Sequence, residues 1–153
     1  MHLTLAADQR DKLLEALERA GTKEIGGQLY GELLAPSTFL ITELVVQART
    51  GSFARFVVDL FQATKDAMRF FDRTGHRYST FNYIGEWHSH PSFAVMPSSM
   101  DLETMRTLVR EADFAGNFAV LMIVRADAGT LSVGSWVFDP QGRESEAKFE
   151  VQT

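Results

Sequence analysis

Cysteine is absent from the 153 residues of this chain, which excludes a disulfide framework, a thiolate metal ligand and a thiol nucleophile. Any nucleophile must therefore be water or a hydroxyl. Apolar runs of the ~20 residues needed to span a bilayer are also missing. Asp8, Arg10, Asp11 and Lys12 interrupt the segment where a signal peptide would carry its apolar core. The expectation is a soluble cytoplasmic protein with no membrane partner. Basic residues are in the minority, 15 Lys and Arg against 20 Asp and Glu, for a formal net charge of −5. That balance argues against the broad basic face of a duplex-binding protein, so no nucleic-acid partner is expected. Proline is sparse, at four residues, and no repeat, linker or low-complexity tract divides the chain. One domain over residues 1–153 is expected, long enough to bury roughly 70% of the surface of the unfolded chain.

What is present alternates between helical and strand periodicities. Leu13, Leu14 and Leu17 recur at helical spacing within residues 5–20, and Gly21 stands where a C-terminal cap is expected. Residues 25–33 alternate with period two and pair naturally with residues 39–46 across Ala35-Pro36-Ser37, as a hairpin. A strand at residues 53–58 comes next. A second helix follows, with Leu60, Ala63, Ala67, Met68 and Phe71 as its buried stripe, ending before Gly75. Residues 80–90 read as a strand with Ile84, Glu86, His88 and His90 on one face and Phe81, Tyr83 and Trp87 on the other. Residues 99–113 read as a third helix, 118–124 as a central strand, and 131–138 and 147–151 as two more. Trp87 and Trp136 read as core. The fold class is α/β, a mixed sheet flanked by helices.

The densest chemistry lies in His88-Ser89-His90-Pro91, followed by Ser98 and Asp101. Two histidines separated by one residue project from the same strand face, so both imidazoles can reach one ion. A turn containing Pro91 and Pro97 brings the chain around, and Asp101 adds a carboxylate oxygen as third ligand. Zinc takes such nitrogen and oxygen donors at ~2.0–2.2 Å, and a catalytic site keeps a fourth position open. Glu86 shares the face of the histidines but stands about 13 Å from His90 along the strand, too far to share the ion. It reads as a salt-bridge or supporting residue. Ser98-Ser99-Met100-Asp101 also spells a helix capping box, which competes for the same side chains.

His88-x-His90-Pro91 with Ser98 and Asp101 resembles the JAMM motif of the JAB/MPN metallo-isopeptidases, whose fold is cytidine-deaminase-like. The family carries a glutamate opening a glycine-containing strand, and Glu24-Ile25-Gly26-Gly27-Gln28-Leu29-Tyr30-Gly31 matches it. Gln28 departs from the aliphatic residue more often found there. The resemblance implies zinc held by His88, His90 and Asp101. It implies Glu24 as the general base that moves a proton from the attacking water to the leaving amine, and Ser98 as an oxyanion donor. The implied substrate is the C-terminal tail of a ubiquitin-like protein, either conjugated to a lysine or carrying an extension to be trimmed.

Bacterial relatives with sequences like Gly85-Glu86-Trp87-His88 commonly sit beside activating-like and conjugating-like enzymes, and some of those systems defend against phage. Deconjugation in such a system is the leading expectation. Maturation of a sulfur-carrier protein, a non-catalytic MPN scaffold and a DNA-repair-associated relative are the rival readings. The acidic balance weighs against the last.

Overall fold

A computed structural model describes residues 1–47 and 60–153. The strand expected at residues 53–58 lies outside the described residues. In chain order the elements are β1 (His2–Leu5), α1 (Ala7–Ala20), β2 (Gly26–Ala35), β3 (Thr38–Leu44), α2 (Leu60–Arg73), β4 (Phe81–Ser89), α3 (Ser99–Arg110), β5 (Ala119–Asp127), β6 (Thr130–Phe138), β7 (Glu144–Glu146) and β8 (Lys148–Val151). The strands form one sheet in the order β7-β6-β5-β4-β2-β3-β1-β8. It is mixed: β4 runs parallel to β5, and β1 parallel to both β3 and β8, while the hairpins β2-β3 and β5-β6 are antiparallel.

Residues 119–124 of β5 are all buried, because helices cover both faces of the sheet there. Val120, Met122 and Val124 point into a core shared with Leu13, Ala16 and Leu17 of α1. The alternate residues Ala119, Leu121 and Ile123 join Met105 and Val109 of α3 in a second core. A continuous apolar run is what a strand buried on two sides requires. Trp87 belongs to the first core and Trp136 packs partly buried against the second.

Several expectations need correction. β1 occupies residues assigned to the first helix or left unassigned, because His2–Leu5 gains strand partners on both sides, β3 and β8, distant in sequence. β7 is a three-residue strand too short to leave a periodicity. In α2, Met68 is 60% exposed and, among the described side chains of the helix, Asp66 and Phe70 are buried; the expected core positions Leu60 and Ala63 lie outside the described side chains. α3 ends at Arg110 rather than at residue 113.

The faces of β4 also differ from strict alternation. A register shift between Leu29 and Tyr30 moves the partners from Gly85 to Tyr83, leaving Ile84 as the extra residue of a bulge. Gly85 adopts φ 155°, and a Cβ there would lie 2.0 Å from the Val120 carbonyl oxygen. Only glycine permits this approach of β4 to β5. The bulge exchanges two side chains between faces. Ile84 turns into the core with Trp87, and Tyr83 turns to the side of Glu86, donating its hydroxyl hydrogen to Oε1 at 2.8 Å.

Candidate metal centre

The site forms where β4 ends. His88 lies within the strand and His90 one residue beyond it, and both are buried. Alternation across Ser89 aims the two rings the same way, with their Nε2 atoms 3.0 Å apart. Ser89 points opposite and closes the strand pair: its N–H donates to the Ile25 carbonyl at 2.8 Å, and its Oγ accepts from the Ile25 N–H at 3.0 Å.

Asp101 arrives from the first turn of α3 and is buried against the histidines. Its Oδ1 is 3.4 Å from His88 Nε2 and its Oδ2 is 3.7 Å from His90 Nε2. The capping box is fully formed. Ser98 Oγ accepts from the Asp101 N–H at 3.1 Å, and the Ser98 N–H donates to Asp101 Oδ2 at 2.7 Å. The cap therefore orients the carboxylate, and the two roles expected to compete coexist on its two oxygens. Burial alone would raise the Asp101 carboxyl. The hydrogen bonds from His88 and Ser98, with the charge on His88, outweigh it and hold the carboxyl at about 2.

The loop between the ligands is tied down. His90 Nδ1 lies 2.8 Å from the Ala94 carbonyl oxygen, and a carbonyl can only accept. Nδ1 therefore carries the proton, and the neutral ring presents the bare Nε2 lone pair to the site. Arg125 donates to the Phe93 carbonyl at 3.0 Å and fixes the loop from β5.

The donor set suits a metal ion. One ligand atom from each of His88, His90 and Asp101 lies within 4.8 Å of the others. The two Nε2 atoms stand 3.0 Å apart and Asp101 Oδ1 is 3.4 Å from that of His88, close to the roughly 3.3 Å edge of a tetrahedron with bonds of ~2.0–2.1 Å. Two imidazole nitrogens, neutral once they ligate, and a carboxylate are a zinc-type combination with one open position.

Glu24 is half-buried, two residues before β2. Gly26 pairs with His88, and Ile25 bonds to Ser89. Glu24 therefore stands beside the end of β2 that pairs with His88. Ser98 is exposed as a residue while its hydroxyl caps the helix.

Glu86 was expected as a salt-bridge or supporting residue. Among the described residues no ion pair involves it. It is 4% exposed and takes hydrogen bonds from Tyr83 and, at 3.5 Å, from the Gln28 amide. Burial pushes its carboxyl up to about 8 against the lowering effect of those two bonds. Gln28 sits directly across from Glu86 in the sheet and is itself 2% exposed. A polar residue at position 28 is thus explained by the acid facing it. Sequence alone carried the two halves of this pair without the register that joins them.

Fold and donor set together define an α/β domain built around a metal-capable His-His-Asp cluster at a strand end. The chain belongs to the prokaryotic homologs of the JAB domain, a family that matches residues 6–139. The CD-NTase/cGAS isopeptidase of Enterobacter hormaechei subsp. hoffmannii is 28% identical over 145 residues, which cover 92% of this chain and 76% of the relative. The solution structure of a Desulfitobacterium hafniense protein superposes with a TM-score of 0.67 at 17% identity, covering 98% of this chain and 92% of the other. A Salinibacter ruber protein gives 0.57 at 19%, covering 99% and 92%. These two similarities establish the fold.

Proposed function

We propose that this protein is a zinc-dependent hydrolase that cuts the amide or isopeptide bond after the C-terminal tail of a ubiquitin-like protein. The observation that carries the reading is the convergence of His88, His90 and Asp101 into one buried donor set. The isopeptidase named in Enterobacter supports the reaction class. His88, His90 and Asp101 would hold the ion. When bound, zinc supplies a Lewis acid for the scissile carbonyl and brings the pKa of water at the site toward neutrality.

The remaining work falls to the chain. Glu24 takes the proton from the attacking water and delivers it to the leaving nitrogen, a task for a carboxylate beside the donor set. Ser98 Oγ accepts from the Asp101 N–H through a lone pair and keeps its own hydrogen for the developing oxyanion. Asp101 keeps its charge at neutral pH and, through the cap, fixes where α3 begins. Deconjugation in a bacterial system with activating-like and conjugating-like enzymes, including antiphage systems, is the proposed setting. Trimming of a carrier precursor uses the same bond chemistry.

The test is a panel of ubiquitin-like carriers fused through their C-termini to a reporter, incubated with the zinc-loaded protein. Release from at least one carrier, stopped by a chelator and by Glu24→Gln, is expected. Intact fusions across the panel would contradict the reading.

A further inference from the structure

Independently of the metal centre, we propose that the cleft at the opposite end of the sheet binds an organic cation, an alkylammonium or guanidinium group held in an aromatic cage. The cleft has a volume of about 540 Å³ and lies between the end of β2, the turn before β4 and the loop entering β5. That volume is in the range of small-ligand sites. Tyr83 borders the cleft and precedes His88 by five residues on β4, about 16 Å at ~3.3 Å per residue. The two sites are therefore separate.

Phe39, Phe71, Tyr78, Phe114 and Phe118 line the cleft. Four of these rings are already packed in pairs, Phe71 with Tyr78 at 4.9 Å and Phe39 with Phe118 at 5.1 Å between centroids. Tyr78 is 54% exposed yet held in place. Its hydroxyl is 2.7 Å from His76 Nδ1, and His76 Nε2 is 3.0 Å from Asp72 Oδ1. Phe114 folds back over Gly116, where a Cβ would come within 2.7 Å of its ring. Aromatic walls fixed in this way lose little freedom on binding.

Charge selects the occupant. Among the described residues that line the cleft, Asp113 is the one carboxylate, and no lysine, arginine or histidine joins it. Ring faces carry negative electrostatic potential and attract cations. An anion would find no positive partner here. A hydrocarbon would make no use of the Asp113 carboxylate at the rim, whereas a cation on the rings uses both the faces and the carboxylate.

The test titrates tetramethylammonium, butylammonium and the uncharged isostere 3,3-dimethylbutan-1-ol into the zinc-loaded full chain, read by amide proton–nitrogen correlation spectra. Saturable shifts confined to residues 78–84 and 113–118 are expected. The alcohol should bind about ten-fold more weakly than tetramethylammonium, and Asp113→Asn and Tyr78→Leu should each weaken cation binding by roughly three- to ten-fold. Asp113 is exposed, so Asp113→Asn remains a readable variant should Tyr78→Leu misfold. A peptide with one trimethyl-lysine that binds more tightly than the free cation would identify a protein side chain as the source. Equal binding would identify a small metabolite. Unsaturable shifts, equal affinity for the alcohol, or binding unchanged by Asp113→Asn would each overturn the proposal.

Discussion

At the residue scale, each member of the site has a role that a substitution can isolate. On the proposed mechanism, Glu24→Gln should leave zinc binding intact and lower turnover of a cleavable fusion by about 10²-fold or more, because it removes proton transfer alone. Metal content and single-turnover cleavage of the same preparation check both halves. Ser98 caps α3 and is proposed to serve the oxyanion, and different replacements separate the two. Ser98→Ala should lower stability by about 1 kcal/mol through the lost cap, whereas Ser98→Gly should lose only a few tenths. Both should lose roughly 10²-fold or more in turnover if the hydroxyl serves the oxyanion. Urea unfolding and cleavage assays on the two variants decide it, and full activity in Ser98→Gly would reduce Ser98 to a cap. Ligation needs unprotonated imidazoles, so acid should release the ion by proton competition at His88 and His90. The Asp101 carboxyl, held at about 2, keeps its charge throughout that release. Its stabilising contribution is complete above the ordinary carboxylate range and is lost only as pH falls toward 2.

At the element scale, β4 carries the site, and the bulge at Gly85 sets which face each of its residues takes. Gly85→Ala would force a Cβ into the Val120 backbone. It should lower stability by about 3 kcal/mol, at the upper end of overpacking costs, with reduced zinc binding as a second readout. A urea midpoint close to that of the wild type would contradict this account of the bulge. The same feature marks where sequence reading stopped. His88 and His90 are two apart on the regular end of the strand, so alternation placed them correctly. Tyr83 and Ile84 lie on the far side of the bulge, where alternation inverts. A glycine in a strand is a visible signal of a bulge, yet Gly85 does not by itself say which residue is extra. β1 was invisible for another reason: four residues acquire strand character only from β3 and β8, 36 and 146 positions away. The capping box at Ser98 and Asp101, by contrast, is local chemistry, and it was legible with both partners named.

At the scale of the whole molecule, one sheet carries the donor cluster at one end of β4 and an aromatic-lined cleft at the other. Among the described residues no helix is long and apolar enough to cross a membrane. Zinc that binds only the folded chain should raise its stability by about 4 kcal/mol at a free concentration a thousand times the dissociation constant. For a chain of this size that corresponds to a rise in Tm of roughly 10 °C. Thermal melts with and without a chelator check it, and identical melts would contradict it. The most direct measurement of the central claim is elemental analysis of the wild-type protein and His88→Ala, both purified without chelator. The account predicts about one zinc per wild-type chain and a loss of that zinc in the variant. A wild-type protein that holds no zinc, even after reconstitution, would contradict it.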